Sequence, residues 1–250
     1  MKFIFVVGCP RSGTTALARL LNGSPDIVIG IERYQKVAFT SGLTPALFEY
    51  DRFFTIEEGD THYESLDDFD KSYVTLREKY KGTKTHGDKI PPLFRAYDSV
   101  NSAFPDVGFI FIVRNLIDVA NSYMHRFENP KDPWKRDFKR AVKDWNQSLA
   151  LTTTALANGI RIHVVSYERL FADGAQDVIE GVFNFADARL PPANLVDGIL
   201  GEGERVERRR EERENLITGA PAQFLCSHGS FGIYRRLVGK DAKRETAHGL

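Results

Sequence analysis

Cysteine is scarce in this 250-residue chain: Cys9 and Cys226 are the only two. Two cysteines make no disulfide framework, and a reducing, cytoplasmic setting is the expectation that follows. Clusters of His, Cys and Asp at ligand spacing are also lacking, so no metal site is expected. Neither sign of charge is in excess, because 34 Lys and Arg balance 34 Asp and Glu. Without a global basic field, nucleic acid is not an expected partner, and any anion site must be assembled locally. No apolar run approaches the roughly 18 residues of a membrane span. The run from Phe3 to Val7 is also shorter than the roughly 7–15 residues of a secretory core. Val6 to Cys9 superficially mimics a lipoprotein cleavage box, but a buried first strand accounts for the run better. Internal repeats and low-complexity linkers are missing too, which points to one domain over residues 1–250.

What remains is an ordinary globular composition, 42% hydrophobic and 27% charged. A chain of this length buries roughly three quarters of the surface its unfolded form exposes, enough for a large core. Residues 2–7, 108–113 and 160–166 read as buried strands, short and rich in β-branched and aromatic residues. Shorter strands fit 27–30 and 83–89. Helical periods fall at 14–22, 92–104, 116–127 and 135–157, and Ser65 reads as the N-cap of a helix ending at Gly82. Strands alternating with helices imply a P-loop-type three-layer α/β/α fold around a mainly parallel sheet. The stretch 202–215 is almost all charge of both signs and reads as a solvated, ion-paired surface element.

The strongest local feature is Gly8-Cys9-Pro10-Arg11-Ser12-Gly13-Thr14-Thr15, placed between a buried strand and a helix. Gly13 permits a close turn, and the free N–H groups of a helix start face an anion. The spacing from Gly8 to Gly13 equals that of the nucleotide-kinase phosphate loop, but Thr14 stands where that motif needs lysine. Its positive charge sits instead at Arg11. The bland reading is an ordinary strand-to-helix turn. A second anion site is readable at the end of strand 108–113, where Arg114 is followed by Ser122 and, one turn later, Arg126. An arginine at that edge of a doubly wound sheet lies on its ligand side and can grip phosphate through two N–H groups.

Pro-Arg-Ser-Gly-Thr-Thr and the run Ile112-Val-Arg-Asn-Leu-Ile-Asp-Val-Ala-Asn-Ser-Tyr-Met-His-Arg126 together resemble the sulfotransferase family. The likeness is nearest to its tyrosylprotein-sulfotransferase-like and bacterial branch. It covers about 1–35, 83–128, 160–170 and 226–240. The resemblance implies the donor 3′-phosphoadenosine-5′-phosphosulfate (PAPS), the product 3′,5′-adenosine bisphosphate (PAP), no metal, and an acceptor hydroxyl on a carbohydrate, a peptide tyrosine or a small metabolite. It places Arg11, Ser12, Gly13, Thr14 and Thr15 on the 5′-phosphosulfate, and Arg114, Ser122 and Arg126 on the 3′-phosphate. Tyr167, in a segment similar to the family's Tyr-Glu-x-Leu, stands at an adenine position or is a core tyrosine. Ser227 to Arg235 resembles the late loop over the 3′-phosphate and brings in Gly229 and Arg235. Asn115 departs from the Asp common in the family, and Ser227 and His228 replace basic residues of cytosolic relatives.

For catalysis the same resemblance implies Arg11 at the sulfonate oxygens, Lys89 at the leaving group and Glu32 as general base. Ser24 to Arg33 is similar to the tyrosylprotein base segment, with Ile31 replacing its first glutamate. His86, in Lys84-Thr85-His86, is the rival base by similarity to the cytosolic branch. It lies five residues too early, whereas Lys89-Ile90-Pro91 keeps the family's lysine-to-arginine spacing to Arg114. Segments 36–82 and 171–225 fall outside the likeness and are expected to be acceptor-side or surface elements. The aromatic and acidic residues of 36–82 suit acceptor contacts. A P-loop phosphotransferase and a non-catalytic nucleotide-binding protein are the alternatives. The first would require a lysine at position 14.

Overall fold

The buried runs become the strands of one sheet. A computed structural model describes residues 1–63, 66–171, 175–201 and 215–244. Five strands, β1 (Lys2–Gly8), β2 (Ile27–Ile31), β3 (Thr85–Lys89), β4 (Gly108–Val113) and β5 (Ile162–Ser166), lie in the order β2-β3-β1-β4-β5. Every pairing is parallel. All residues of β4, and all of β1 beyond Lys2, are buried, as strands covered on both faces require.

The helices fall on two faces. α1 (Thr14–Asn22) carries Leu17, Leu20 and Leu21 on its buried side and packs with Ile4, Val6, Ile110 and Ile112. α9 (Gln176–Ala186) joins that face through Ile179, Val182 and Phe183. The opposite face holds α5 (Tyr97–Ala103), α6 (Leu116–Glu128) and α7 (Phe138–Ala157) over Phe3, Phe5, Phe109 and Phe111. Asn115 caps α6 by accepting the Asp118 N–H, and Asp137 caps α7 by accepting that of Arg140. Helices α2 (Gln35–Ala38), α3 (Tyr50–Phe54), α4 (Leu66–Lys79) and α8 (Tyr167–Leu170), one over 193–201 (α10), then α11 (Gly219–His228) and α12 (Phe231–Arg244) complete the described helices.

Three expectations are corrected. The helix expected over 92–104 is a 3₁₀ turn, Pro91–Ala96, followed by α5, because two consecutive prolines supply no N–H to a helical ladder. The late loop expected over 227–235 is largely helical: α11 and α12 meet at Gly229, whose backbone lies so close to Leu116 that a Cβ there would stand 2.8 Å from its Cδ2. In segment 36–82 four aromatic residues do not line a cleft. Phe48, Phe53, Tyr73 and Tyr80 are buried core, with Phe48 edge-on to Phe3, Phe5 and Phe104. Their apolar area is worth more inside the fold than on its surface. The Ser65 cap and nearly all of the charged stretch lie outside the described residues.

Trp145 of α7 ties one face to the ligand edge. It is fully buried, stands against Phe231 and Tyr234, and its Nε1–H donates to the Arg114 carbonyl at 2.9 Å. Trp145→Ala should cost about 3–5 kcal/mol in urea unfolding. A loss under ~1 kcal/mol would show that α7 is not fixed through this ring.

Candidate active site

The connections after β1 and β4 leave for opposite faces of the sheet, α1 on one and α6 on the other. Such a divergence opens a crevice at the carboxyl ends of the strands. Arg11, Glu32, Lys89, Arg114 and Tyr167 each follow or end one of the five strands at this same edge.

The loop after β1 turns through two left-handed residues, Arg11 at φ 72° and Gly13 at φ 91°. Gly13 is required twice over. A Cβ there would be strained by the backbone and would also meet the Tyr167 ring. Gly13 caps α1 without any side-chain bond, so the first N–H groups of the helix remain available to an anion. The Ser12 hydroxyl is buried with no hydrogen-bond partner among the described residues, an acceptor and donor that a bound phosphate oxygen would satisfy. Thr14 is buried and Thr15 exposed at the helix start.

Around this loop stand three guanidiniums. Arg11 Nε donates to Ser122 Oγ at 2.9 Å, joining the first anion motif to the second. Its guanidinium is held below its ordinary pKa, first by desolvation although its edge reaches solvent, then by the charges of Arg126 and Arg114. Crowded positive charge of this kind favours an incoming anion. Arg114 is largely buried, its guanidinium 4.0 Å above the Tyr167 ring and its Nε 3.5 Å from Asp118. Tyr167 is itself buried, wedged between Gly13 and Arg114. Arg126 is held in a two-point pair by Asp132 at 2.6 and 2.8 Å, so a phosphate there competes with that carboxylate. Asn115 keeps the cap role and donates to Asp118 and Glu168, a contact an aspartate in its place could not make. Gly229 packs beside Leu116 at the start of α6, near this cluster, while Arg235 is exposed on α12.

On the other side of β1, Lys89 Nζ meets Glu32 Oε1 at 2.5 Å. The lysine side chain is 3% exposed and the glutamate 36%, so the pair has one dry and one open end. Glu32 sits at φ 55°, a left-handed conformation costly for a side-chain-bearing residue. Four contacts hold it there. Glu32 N donates to the Lys89 carbonyl at 2.9 Å. The N–H groups of Arg33 and Tyr34 donate to the two oxygens of Asp88, at 3.1 and 2.8 Å. The Ile31 N–H donates to the Tyr73 hydroxyl at 2.7 Å. Arg33, adjacent to the base candidate, is turned into the interior onto Asp60 and the carbonyls of Phe53 and Thr55. Asp88 and Tyr73 are the positions that motif reading missed. The sole hint of Asp88 was an acid inside a strand, next to Lys89.

His86 is not at this edge. It pairs in register with Phe3 near the start of β1, is buried against the Tyr80 ring and bonds Thr83 Oγ1 at 2.9 Å through Nε2.

The glycine loop after β1, Arg114 after β4 and the buried Lys89, all at the carboxyl edge of a parallel sheet, belong to an α/β fold of the P-loop type. A profile of the Sulfotransferase family matches residues 4–192, and the chain belongs to that family. Sulfuryl transfer is therefore its reaction class. Solved structures agree in fold. A sulfotransferase domain from the curacin biosynthetic pathway is 18% identical, with TM-score 0.52, covering 88% of this chain and 81% of its own. The sulfotransferase domain of the Synechococcus PCC 7002 olefin synthase is 19% identical, with TM-score 0.52, over 78% and 76%. No curated protein sequence matches the chain.

Burial pushes the His86 imidazole from 6.5 down to about 4. Between those values the unfolded chain binds a proton that the folded chain refuses, so this residue makes stability rise with pH across that window. Asp88 acts in the opposite sense. Burial, opposed by its two N–H donors, raises its carboxyl from 3.8 to about 7, so the folded form holds the extra proton and stability falls as pH rises. Comparing wild type with His86→Asn at each pH cancels the Asp88 contribution. The wild type should lose stability relative to the variant as pH falls from about 6.5 to about 4. A difference independent of pH in denaturant titrations would contradict the buried imidazole.

Proposed function

We propose that the protein transfers the sulfuryl group of PAPS to an acceptor hydroxyl, with Glu32 as general base. The observation that carries this reading is the Glu32–Lys89 pair beside the phosphate loop, a carboxylate and an ammonium within 2.5 Å at one edge of the sheet. The 5′-phosphosulfate lies on the loop from Arg11 to Thr15, and the 3′-phosphate on Arg114, Ser122 and Arg126. Tyr167 and Gly229 border the adenosine end, with Arg235 beyond them on α12.

The acceptor oxygen attacks sulfur as its proton passes to a Glu32 oxygen. The bond from sulfur to the bridging phosphate oxygen breaks, and PAP departs carrying that electron pair. Lys89 offsets the charge growing on the bridging oxygen, and Arg11 that on the sulfonate oxygens. Among the described residues no group of His, Cys, Asp and Glu is arranged to hold a metal ion, and the proposed step draws on none. No described helix is long and apolar enough to cross a membrane.

Glu32→Gln keeps the shape and removes the basicity. Turnover of an acceptor found by a donor-consumption screen should fall by about 10²–10⁴ with PAP affinity nearly intact. His86→Asn should cost far less, and the reverse ranking would move the base role to His86. Arg114→Ala should weaken PAP binding in calorimetry by about 1.5–3 kcal/mol. Unchanged affinity would remove Arg114 from the 3′-phosphate site.

A further inference from the structure

Asp144 of α7 is fully buried, yet three arginines from three places in the chain converge on it. Arg95 of the 3₁₀ turn after Lys89 reaches Oδ1 at 3.0 Å, Arg140 reaches the same oxygen at 3.0 Å, and Arg136, from the segment before α7, reaches Oδ2 at 3.5 Å. The Tyr123 hydroxyl donates to Oδ2 at 3.2 Å. One guanidinium suffices to neutralise a carboxylate, so three against one leave a surplus of two positive charges. Asp137, the neighbouring acid, caps the Arg140 N–H. Asp132 is taken by Arg126.

The three side chains are 33%, 39% and 40% exposed, each presenting part of its N–H fork to solvent. Their position relative to the donor loop is fixed from behind. Tyr123, which donates to Asp144, also lies 4.0 Å from the Cys9 sulfur, two residues before Arg11. Arg95 is carried six residues beyond Lys89, on the β3 side of β1. Arg114 and Tyr167, assigned to the adenosine end, follow β4 and β5. The surplus charge therefore stands behind the carboxyl end of β1, next to the loop assigned to the sulfonate, where the acceptor oxygen must arrive, and Arg136 shares the Trp134 ring with Arg126.

We propose that Arg95, Arg136 and Arg140 form an anion subsite for the acceptor, and that the acceptor is a hydroxyl compound carrying a carboxylate or a sulfate ester. The proposal rests on the sulfotransfer reading of the crevice given above. A planar guanidinium fork matches either group through paired N–H bonds, and each such bond to a charged oxygen is among the stronger hydrogen bonds available. The buried Asp144 keeps the forks in place in the absence of ligand, which lowers the ordering cost of binding.

The test uses the whole chain saturated with PAP and titrated with citrate, inorganic sulfate or neutral sucrose at constant ionic strength. Binding is read by calorimetry and by the fluorescence of Trp134, whose ring lies 5.1 Å from the Arg136 guanidinium. Citrate or sulfate should bind and sucrose should not. Tighter citrate binding identifies the carboxylate form of the acceptor, and tighter sulfate binding the sulfate ester. Arg136→Gln/Arg140→Gln should weaken the anion at least tenfold while PAP affinity stays within twofold. Arg136→Gln alone leaves Asp144 two partners, and should weaken it several-fold if the double variant does not fold. Anions binding no better than sucrose, or binding equally well to the variants, would overturn the subsite. If PAP itself fails to bind, the donor reading falls, and the same titrations without PAP still decide the arginine cluster.

Discussion

A parallel sheet sends the carboxyl end of every strand to one edge, and this constraint organises the molecule. Backbone pairing admits no exception among the five strands, so each strand delivers the residue that follows it to the same crevice. Arg11, Glu32, Lys89, Arg114 and Tyr167 come from sites as far apart in sequence as 11 and 167, yet none needs a special loop to reach the others. The cost is that both faces of the sheet must be covered by helices. That is why the chain places large aromatic clusters on one face and aliphatic side chains on the other.

The divergence of chain direction at β1 then separates two kinds of work. Toward β4 and β5 lie rigid cations: Arg114 against an aromatic ring and an aspartate, and Arg11 on the hydroxyl of Ser122. Toward β3 and β2 lie an acid and a base in contact. Holding Glu32 in a left-handed conformation costs of order 1–3 kcal/mol. Backbone bonds to Lys89 and the turn onto Asp88 offset that cost. A strained residue clamped from three sides is preorganised, and preorganised charge needs no rearrangement when the reacting group arrives.

Much of this was legible in the sequence because the informative residues are local. The β1 loop and the Arg114–Ser122 pair lie within single strand–turn–helix units, so spacing alone places them, and helix 14–22 was read to its observed ends. The carboxylate that holds Glu32 was not legible, because Asp88 reaches its partners across two strands 54 and 55 residues apart in sequence. Phe48, Phe53, Tyr73 and Tyr80 were misread for a related reason. A phenylalanine in an aperiodic segment looks alike in sequence whether it lines a cleft or closes a core, and only packing against Phe3, Phe5 and Phe104 distinguishes them. The junction at Gly229 was expected as a loop because Ser227 to Arg235 resembles the family's late loop. Asn146 instead bonds the His228 carbonyl and the Ser230 N–H, which supplies the polar partners that let two helices meet there.

Charge balance links these observations. The chain is neutral overall, yet the proposed donor PAPS would bring several negative charges into the crevice, and these must be met by cations that are stable without it. Each of these cations has a partner within the protein. Arg11 has a neutral hydroxyl, Arg114 a ring face and a carboxylate at 3.5 Å, and Lys89 the carboxylate of Glu32. Each partner satisfies enough of the cation to keep it ordered, because an unpaired buried charge would cost several kcal/mol. Arg11 on Ser122 and Lys89 on Glu32 are one-point contacts, unlike the two-point pair that holds Arg126 on Asp132. The affinity gained from the donor is then the difference between a phosphate or sulfonate contact and these lesser ones. Sites whose partners are weakest, Arg11 above all, have the most to gain when the donor binds.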